Sequence, residues 1–310
     1  MKAIVYEKYG PPEVLHFEDV PKPVPKDNEV RIKIHATTCH IGDTRVRSST
    51  IPLAYWLPMR LYLGLLKPKR SILGMECAGV IEAVGKNVKR FKKGDEVFAL
   101  TGFNFGSYCE YRCLAEDVSS EKEGMIELKP SNMSFGEAAA VPGGGLTALG
   151  ILRKENIKKR DKVLVYGASG SVGTYAVQLL KYYGAEVTGV CSTKNLKMVK
   201  SLGADKVIDY TQEDFSTSGE TYDFVFDAVH KLPRSQGKRA LKKDGIFRTS
   251  HSSADIQPGD LKFLKKLIEA GKFKDYIDRT YSWEDIVEAH RYVDKGHKKG
   301  HVAITIIKKD

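Results

Sequence analysis

The stretch Val163-Leu-Val-Tyr-Gly-Ala-Ser-Gly-Ser-Val-Gly173 decides the fold class. Its first four residues form a short apolar run of the kind that a strand buried on both faces needs. Glycines follow at 167, 170 and 173, and Val172 to Tyr183 reads as a helix with one apolar face. Strand, glycine turn and helix N-terminus in that order make an anion site. The turn lets backbone approach a pyrophosphate, and the first helical N–H groups lack partners of their own. Gly167, Ser169, Gly170, Ser171, Val172 and Gly173 are therefore the candidate cradle of a dinucleotide.

Downstream, Glu186–Val190, Lys206–Asp209, Tyr222–Asp227 and Gly245–Thr249 read as further strands separated by helical stretches. That alternation predicts a doubly wound parallel sheet of the Rossmann kind. A site selecting NAD needs an Asp or Glu about 20 residues beyond the glycines to hold the ribose 2′-hydroxyl. No acid occurs between Glu186 and Asp205, and Ser192, Thr193, Lys194 and Lys197 stand in the corresponding region. Hydroxyl and ammonium donors suit a 2′-phosphate, so the expected cofactor is NADPH. The competing reading makes them helix-capping and surface residues. Ser134-x-x-Glu137 is a capping box opening a helix, and Thr147 inside that helix is a candidate contact for the nicotinamide end.

Upstream, strands such as Val30–His35, Gly79–Val84 and Asp95–Leu100 are punctuated by Gly and Pro and predict a small barrel. With 310 residues the chain is long enough for two domains, expected at 1–125 plus 272–310 and at 126–271. Five widely spaced cysteines fit free thiols in a reducing, cytoplasmic setting rather than a disulfide framework. A formal charge of +11 raises the question of nucleic acid, but the lysines are scattered and no basic-aromatic motif occurs, so no specific nucleic-acid partner is expected. Ile51–Leu66 is apolar yet interrupted by Pro52, Pro58 and Arg60, and is too short for an integral membrane segment. It reads as a loop with a short helix, with Tyr55, Trp56 and Tyr62 as an aromatic wall or as packing; peripheral membrane contact is the alternative.

Four stretches together resemble the medium-chain dehydrogenase/reductase superfamily, in its zinc-free quinone oxidoreductase (ζ-crystallin-like) branch. They are Gly74-Met-Glu-Cys-Ala-Gly79, the glycine turn with Gln178 and Lys181, Leu202-Gly-Ala-Asp205 with Val207–Tyr210, and Lys295–Gly300. The resemblance implies a GroES-like catalytic domain from both ends of the chain, a Rossmann domain inserted between them, and a cleft between the two. It implies Ser192 and Tyr210 as neighbours of the NADPH 2′-phosphate or adenosine. The zinc ligands of related dehydrogenases are replaced: His40 stands three residues before Asp43 with Cys39 one step off, Met75 replaces a His, and Gly143–Ala148 offers no thiolate. No metal is expected. Without a Lewis acid, an electron-poor acceptor, a quinone or an α,β-unsaturated carbonyl, suits hydride transfer best. His40 and Asp43 are the candidate catalytic residues, with a structural histidine and a turn aspartate as the alternative. After Thr249 the chain runs almost directly into a helix, so the sheet's sixth strand is expected to be missing. In this family that strand forms the dimer edge, which leaves a homodimer open. Two other functions stay open: a catalytically weak NADPH-binding sensor or scaffold, and a zinc-less alcohol dehydrogenase.

Overall fold

The computed structural model describes residues 1–50, 53–117 and 124–307. Contacts divide the chain into two units, Met1–Pro142 with Ile277–Asp310, and Gly143–Tyr276. The first unit opens with β1 (Lys2–Val5) and β2 (His16–Asp19), followed by β3 (Glu29–Thr38), α1 (Ile41–Ser48), α2 (Leu53–Leu63), β4 (Glu76–Val84), β5 (Glu96–Leu100), β6 (Tyr111–Ala115) and β7 (Met125–Leu128). Helix α3 (Phe135–Arg153) runs from one unit into the next. The second unit holds β8 (Lys162–Tyr166), α4 (Ser171–Tyr182), β9 (Glu186–Cys191), α5 (Leu196–Ser201), β10 (Lys206–Asp209), β11 (Tyr222–Asp227), α6 (Arg234–Arg239), β12 (Leu241–Thr249) and α7 (Asp260–Glu269). β13 (Ile277–Ser282), α8 (Ile286–Asp294) and β14 (His301–Thr305) return to the first.

The first unit is built on a seven-stranded sheet, β13-β14-β3-β4-β5-β7 with β6 also paired to β3. β3 shows why it forms: Val30, Ile32 and Ile34 are fully buried while Arg31 and Lys33 between them are not. Period-two burial gives the strand one core face. Each such side chain contributes about 1.5–3 kcal/mol of transfer free energy. The last strand, β14, lies against β3 with Ala303 opposite Thr38, so both ends of the chain make one sheet.

The second unit is a fully parallel sheet in the order β10-β9-β8-β11-β12. Its centre is Val163, Leu164 and Val165, none of them exposed. Five strands are present, and no sixth follows β12: after Thr249 the chain passes through residues 250–259 into α7. β12 starts at Leu241 rather than at Gly245. A register shift between Tyr222 and Phe224 takes up Lys242-Lys-Asp-Gly245, which in sequence looks like a turn.

The unit boundaries fall later than 125/126 and 271/272. β7 pairs with β5, Leu128 opposite Val97, and this ties the start of α3 to the first unit. Residues 272–276 stay with the second because they pack on α4: Phe273 stacks on Tyr175 at 4.8 Å, the Tyr175 hydroxyl donates to Asp275 at 2.6 Å, and Gln178 bonds the Lys274 backbone. The change of unit at Pro142 is where a proline lacks the N–H that would bond back along the helix. Among the described helices only α3 is long and apolar enough to cross a membrane, and 72% of it is buried in the protein, so it reads as a core helix.

Candidate functional site

The glycine turn has the geometry that a phosphate needs. Gly167 adopts φ +74°, a conformation open to glycine at no steric cost. Gly167 and Ala168 both donate backbone N–H groups to the Val190 carbonyl at 3.0 Å, which fixes the turn to the end of β9. Gly170 is the N-cap of α4, and no side chain caps that terminus. At Gly173 a Cβ would stand 2.2 Å from the Gly167 carbonyl oxygen and 2.9 Å from Ala168 Cα, so only glycine lets α4 begin this close to the turn. Ser169, Ser171 and Val172 are half-buried on the open side.

The end of β9 closes one rim. The Asn195 amide donates to Ser169 Oγ at 3.1 Å and to Ser192 Oγ at 3.2 Å, joining the glycine turn to the residues proposed for the 2′-phosphate. Asn195 is 5% exposed, and its Oδ1 is buried without a partner. Thr193 Oγ1 bonds the Asp209 carboxylate and lies 3.2 Å from Thr211 Oγ1. That hydroxyl, ahead of the Thr211 groups, holds Asp209 below the usual carboxylate range. Tyr210 donates its backbone N–H to the Cys191 carbonyl, which sets it beside Ser192, and its ring is 51% exposed. Lys194 and Lys197 are exposed. Seven of the sequence candidates (Gly167, Ser169, Gly170, Gly173, Ser192, Thr193, Tyr210) thus share one hydrogen-bonded rim, and Ser171 and Val172 follow in the first turn of α4. Thr147 stands apart. It lies in the interior of α3, where its hydroxyl donates to the Gly143 carbonyl at 2.7 Å. The uncapped helix end and the close glycine approach fit a dinucleotide phosphate. Asn195 was not among the sequence candidates, although an Asn three residues after a Ser is a recognisable local bonding pattern.

In the first unit, His40 and Asp43 turn out to be the two ends of a capping box on α1. His40 Nδ1 accepts from Gly42 N–H at 3.0 Å, and Asp43 Oδ2 accepts from His40 N–H at 3.0 Å. An acceptor at Nδ1 puts the ring proton on Nε2. Burial, then the charges of Lys298 and Arg45, lowers the His40 pKa to about 3, so the ring is a neutral donor.

Asp43 is fully buried and also accepts from Gly74 N–H at 3.2 Å and from Tyr108 O–H at 3.3 Å. Burial pushes its pKa up to about 7 against those three donors. The chain of partners continues inward. Arg47 Nη1 lies 3.0 Å from His290 Nδ1, and His290 Nε2 lies 3.1 Å from the Tyr108 hydroxyl. An arginine only donates, so His290 accepts at Nδ1 and donates from Nε2, leaving the Tyr108 proton for Asp43. Burial and the Arg47 charge lower the His290 pKa to about 3, in accord with a neutral ring. Arg47, 2% exposed, is balanced by Asp294 at 2.7 Å. Asp43 thus touches backbone and Tyr108, the contacts that its alternative reading as a turn aspartate leads one to expect. Tyr108, His290 and Arg47 were not among the candidates because nothing local connects positions so far apart in the chain.

The donor set beside His40 does not fit a zinc ion. His40 spends Nδ1 on its own helix, and Met75 offers only a thioether. A Cβ on Gly42 would lie 3.4 Å from that Met75 sulfur and 3.1 Å from His40 Nδ1, which shows how closely the position is filled. Among the described residues no group of three or more His, Cys, Asp or Glu converges as a metal site. Ile51 and Pro52, and the side chain of Tyr55, lie outside the described residues; Trp56 and Tyr62 are exposed on α2.

Residues 26–149 match the family model of the alcohol dehydrogenase GroES-like domain, and residues 171–248 and 230–304 match two models of zinc-binding dehydrogenases. The chain is 36% identical to a 2-methylene-furan-3-one reductase of Solanum lycopersicum and 32% identical to a chloroplastic NADPH-dependent alkenal/one oxidoreductase of Arabidopsis thaliana. Each match covers 98% of this chain and 79% of the relative. Among solved structures, a quinone oxidoreductase from Coxiella burnetii superposes with a TM-score of 0.86 at 29% identity over 99% of both chains. Two-unit fold, glycine turn and these matches agree: the chain is an oxidoreductase that belongs to the medium-chain dehydrogenase/reductase superfamily, in its quinone oxidoreductase branch.

Proposed function

We propose that the protein uses NADPH to reduce a quinone or an α,β-unsaturated carbonyl, without zinc. The observation that carries the cofactor is the rim at the end of β9. After β9, in the region where an NAD site would carry a carboxylate, this chain carries Ser192 and the exposed Lys194 and Lys197. The nearest acid, Asp209, is already bonded by Thr193 and Thr211. The acceptor class follows the relatives, one named for alkenals and enones, one for a methylene-furanone and one for quinones. All are carbon acceptors polarised by a conjugated carbonyl.

Gly167–Gly173 and the N-terminus of α4 would hold the pyrophosphate, and Ser192, Thr193, Lys194 and Tyr210 would hold the adenosine end. When bound, the reduced nicotinamide supplies a hydride. His40 donates Nε2–H to the acceptor oxygen as negative charge builds there, a role that suits a ring fixed as neutral. Such a ring has no spare proton to give up, so the proton that completes the reduction comes from solvent. Asp43, held by Tyr108, clamps the His40 backbone and so aims the ring.

NADPH oxidation followed with a benzoquinone and with a short 2-alkenal, with NADH and a chelator in parallel, tests the reading. Turnover that prefers NADPH and ignores the chelator supports it. A preference for NADH, or a requirement for added metal, would sink it. Saturable NADPH binding with no turnover on either acceptor would favour the sensor or scaffold instead.

A further inference from the structure

Helix α2 and the loop after it are apolar on two faces. Leu63 is buried in the core and Met59 packs against it, which docks one face of the helix. On the outward side Leu57 and Leu61 are each 56% exposed, one turn apart, and Leu65 and Leu66 continue the patch at 49% and 88%. Trp56 and Tyr62 flank it at 37% and 42%, and Phe103, whose carbonyl accepts from the Tyr62 hydroxyl, adds a seventh apolar side chain. A helix that has buried one apolar face and still shows another to water lacks a cover.

The charge around the patch identifies the cover. No Asp or Glu occurs between Asp43 and Glu76, while Lys67, Lys69 and Arg70 follow directly on the leucines. Arg70 lies over the Tyr62 ring at 4.5 Å, and Lys67 and Lys69 are exposed. A second copy meeting this face would set cations against cations. We propose that the α2 face docks on an anionic lipid surface, Leu57, Leu61, Leu65 and Leu66 entering the acyl boundary. Trp56 and Tyr62 sit at headgroup level, and Lys67, Lys69 and Arg70 meet the lipid charge. At eleven residues, α2 is too short to span a bilayer and lies along its surface.

The test is sedimentation of the full chain with vesicles of phosphatidylcholine alone and with about one third phosphatidylserine. Partitioning at least roughly tenfold stronger on the anionic vesicles, weakened by salt, is expected from three cations at the surface. It is lost in the triple variant Leu57→Gln/Leu61→Gln/Leu66→Gln while NADPH turnover persists. Should that variant fail to fold, brominated lipid provides the readout: it quenches Trp56 in a Trp283→Phe chain whose surface is intact. Equal partitioning on both vesicle types, or on neither, overturns the proposal. So does binding unchanged in the triple variant, which would assign it to the general positive charge, and so does an unquenched Trp56. A triple variant whose only defect is a raised KM for the acceptor would make the patch a substrate lid instead.

Discussion

His40 is a donor whose strength does not depend on the pH of the assay. With its pKa lowered to about 3 by burial, it carries no charge between pH 5 and 8, so a step in the kcat profile near pH 7 belongs to Asp43 and should vanish in Asp43→Asn. A step near the ordinary histidine value that survives in Asp43→Asn would show that an imidazolium does the work. His40→Gln keeps an N–H near the Nε2 position and is expected to retain more activity than His40→Ala. The alanine variant should lose on the order of tenfold to a thousandfold in kcat. The 2′-phosphate rim makes a separate claim about Lys194. Lys194→Glu sets a negative charge beside the phosphate and should raise KM for NADPH roughly tenfold or more while leaving NADH little changed. Equal effects on both cofactors would place Lys194 away from the 2′ position.

At the scale of elements, β8, the glycine turn and α4 form one device. Gly173→Ala would drive a methyl into two backbone atoms that have no freedom to yield, the Gly167 carbonyl and Ala168 Cα. Loss of NADPH binding by equilibrium fluorescence titration, with a fall in thermal stability, is the expected result; tight binding by the variant would mean that the turn is not the cradle. This device was legible in the sequence because its signals are local: an apolar run, three spaced glycines and a helical period. The missing sixth strand was legible for the same reason, since too few residues separate Thr249 from α7. The start of β12 was not, because Lys242-Lys-Asp-Gly245 has turn chemistry and only pairing with β11 holds part of it in a strand. His40 and Asp43 have the i, i+3 spacing of a capping box, a signal present in the sequence but first read as chemistry. The run from Arg47 through His290 and Tyr108 to Asp43 crosses α1, α8 and the segment before β6, and no periodicity announces it.

For the whole molecule, the buried groups set how stability follows pH. His40 and His290 are neutral in the fold, with pKa values of about 3, but take up protons near 6.5 when unfolded. Their contribution is lost as pH falls from about 6.5. Asp43 works in the opposite sense: its pKa of about 7 lies above the unfolded value of 3.8, so its contribution is lost as pH rises between the two. Between about pH 4.5 and 5.5 the unfolded chain therefore binds about one net proton more at these three sites, and stability should rise by about 1.4 kcal/mol per pH unit. Urea unfolding followed by tryptophan emission reads this directly, since Trp56 and Trp283 both belong to the first unit. A flat response over that range would mean that one of the two rings is charged in the fold.

The pairing of β14 with β3 carries a consequence for how the protein is made. Thr38 leaves the ribosome well before its neighbour Ala303 has been made. The second unit, one continuous stretch from Gly143 to Tyr276, has all its strands before β14 is made. Local contacts of that kind form first, and those between distant parts of a chain form late. The first unit is thus begun before the second and completed after it, its central strand holding an open edge until β14 arrives.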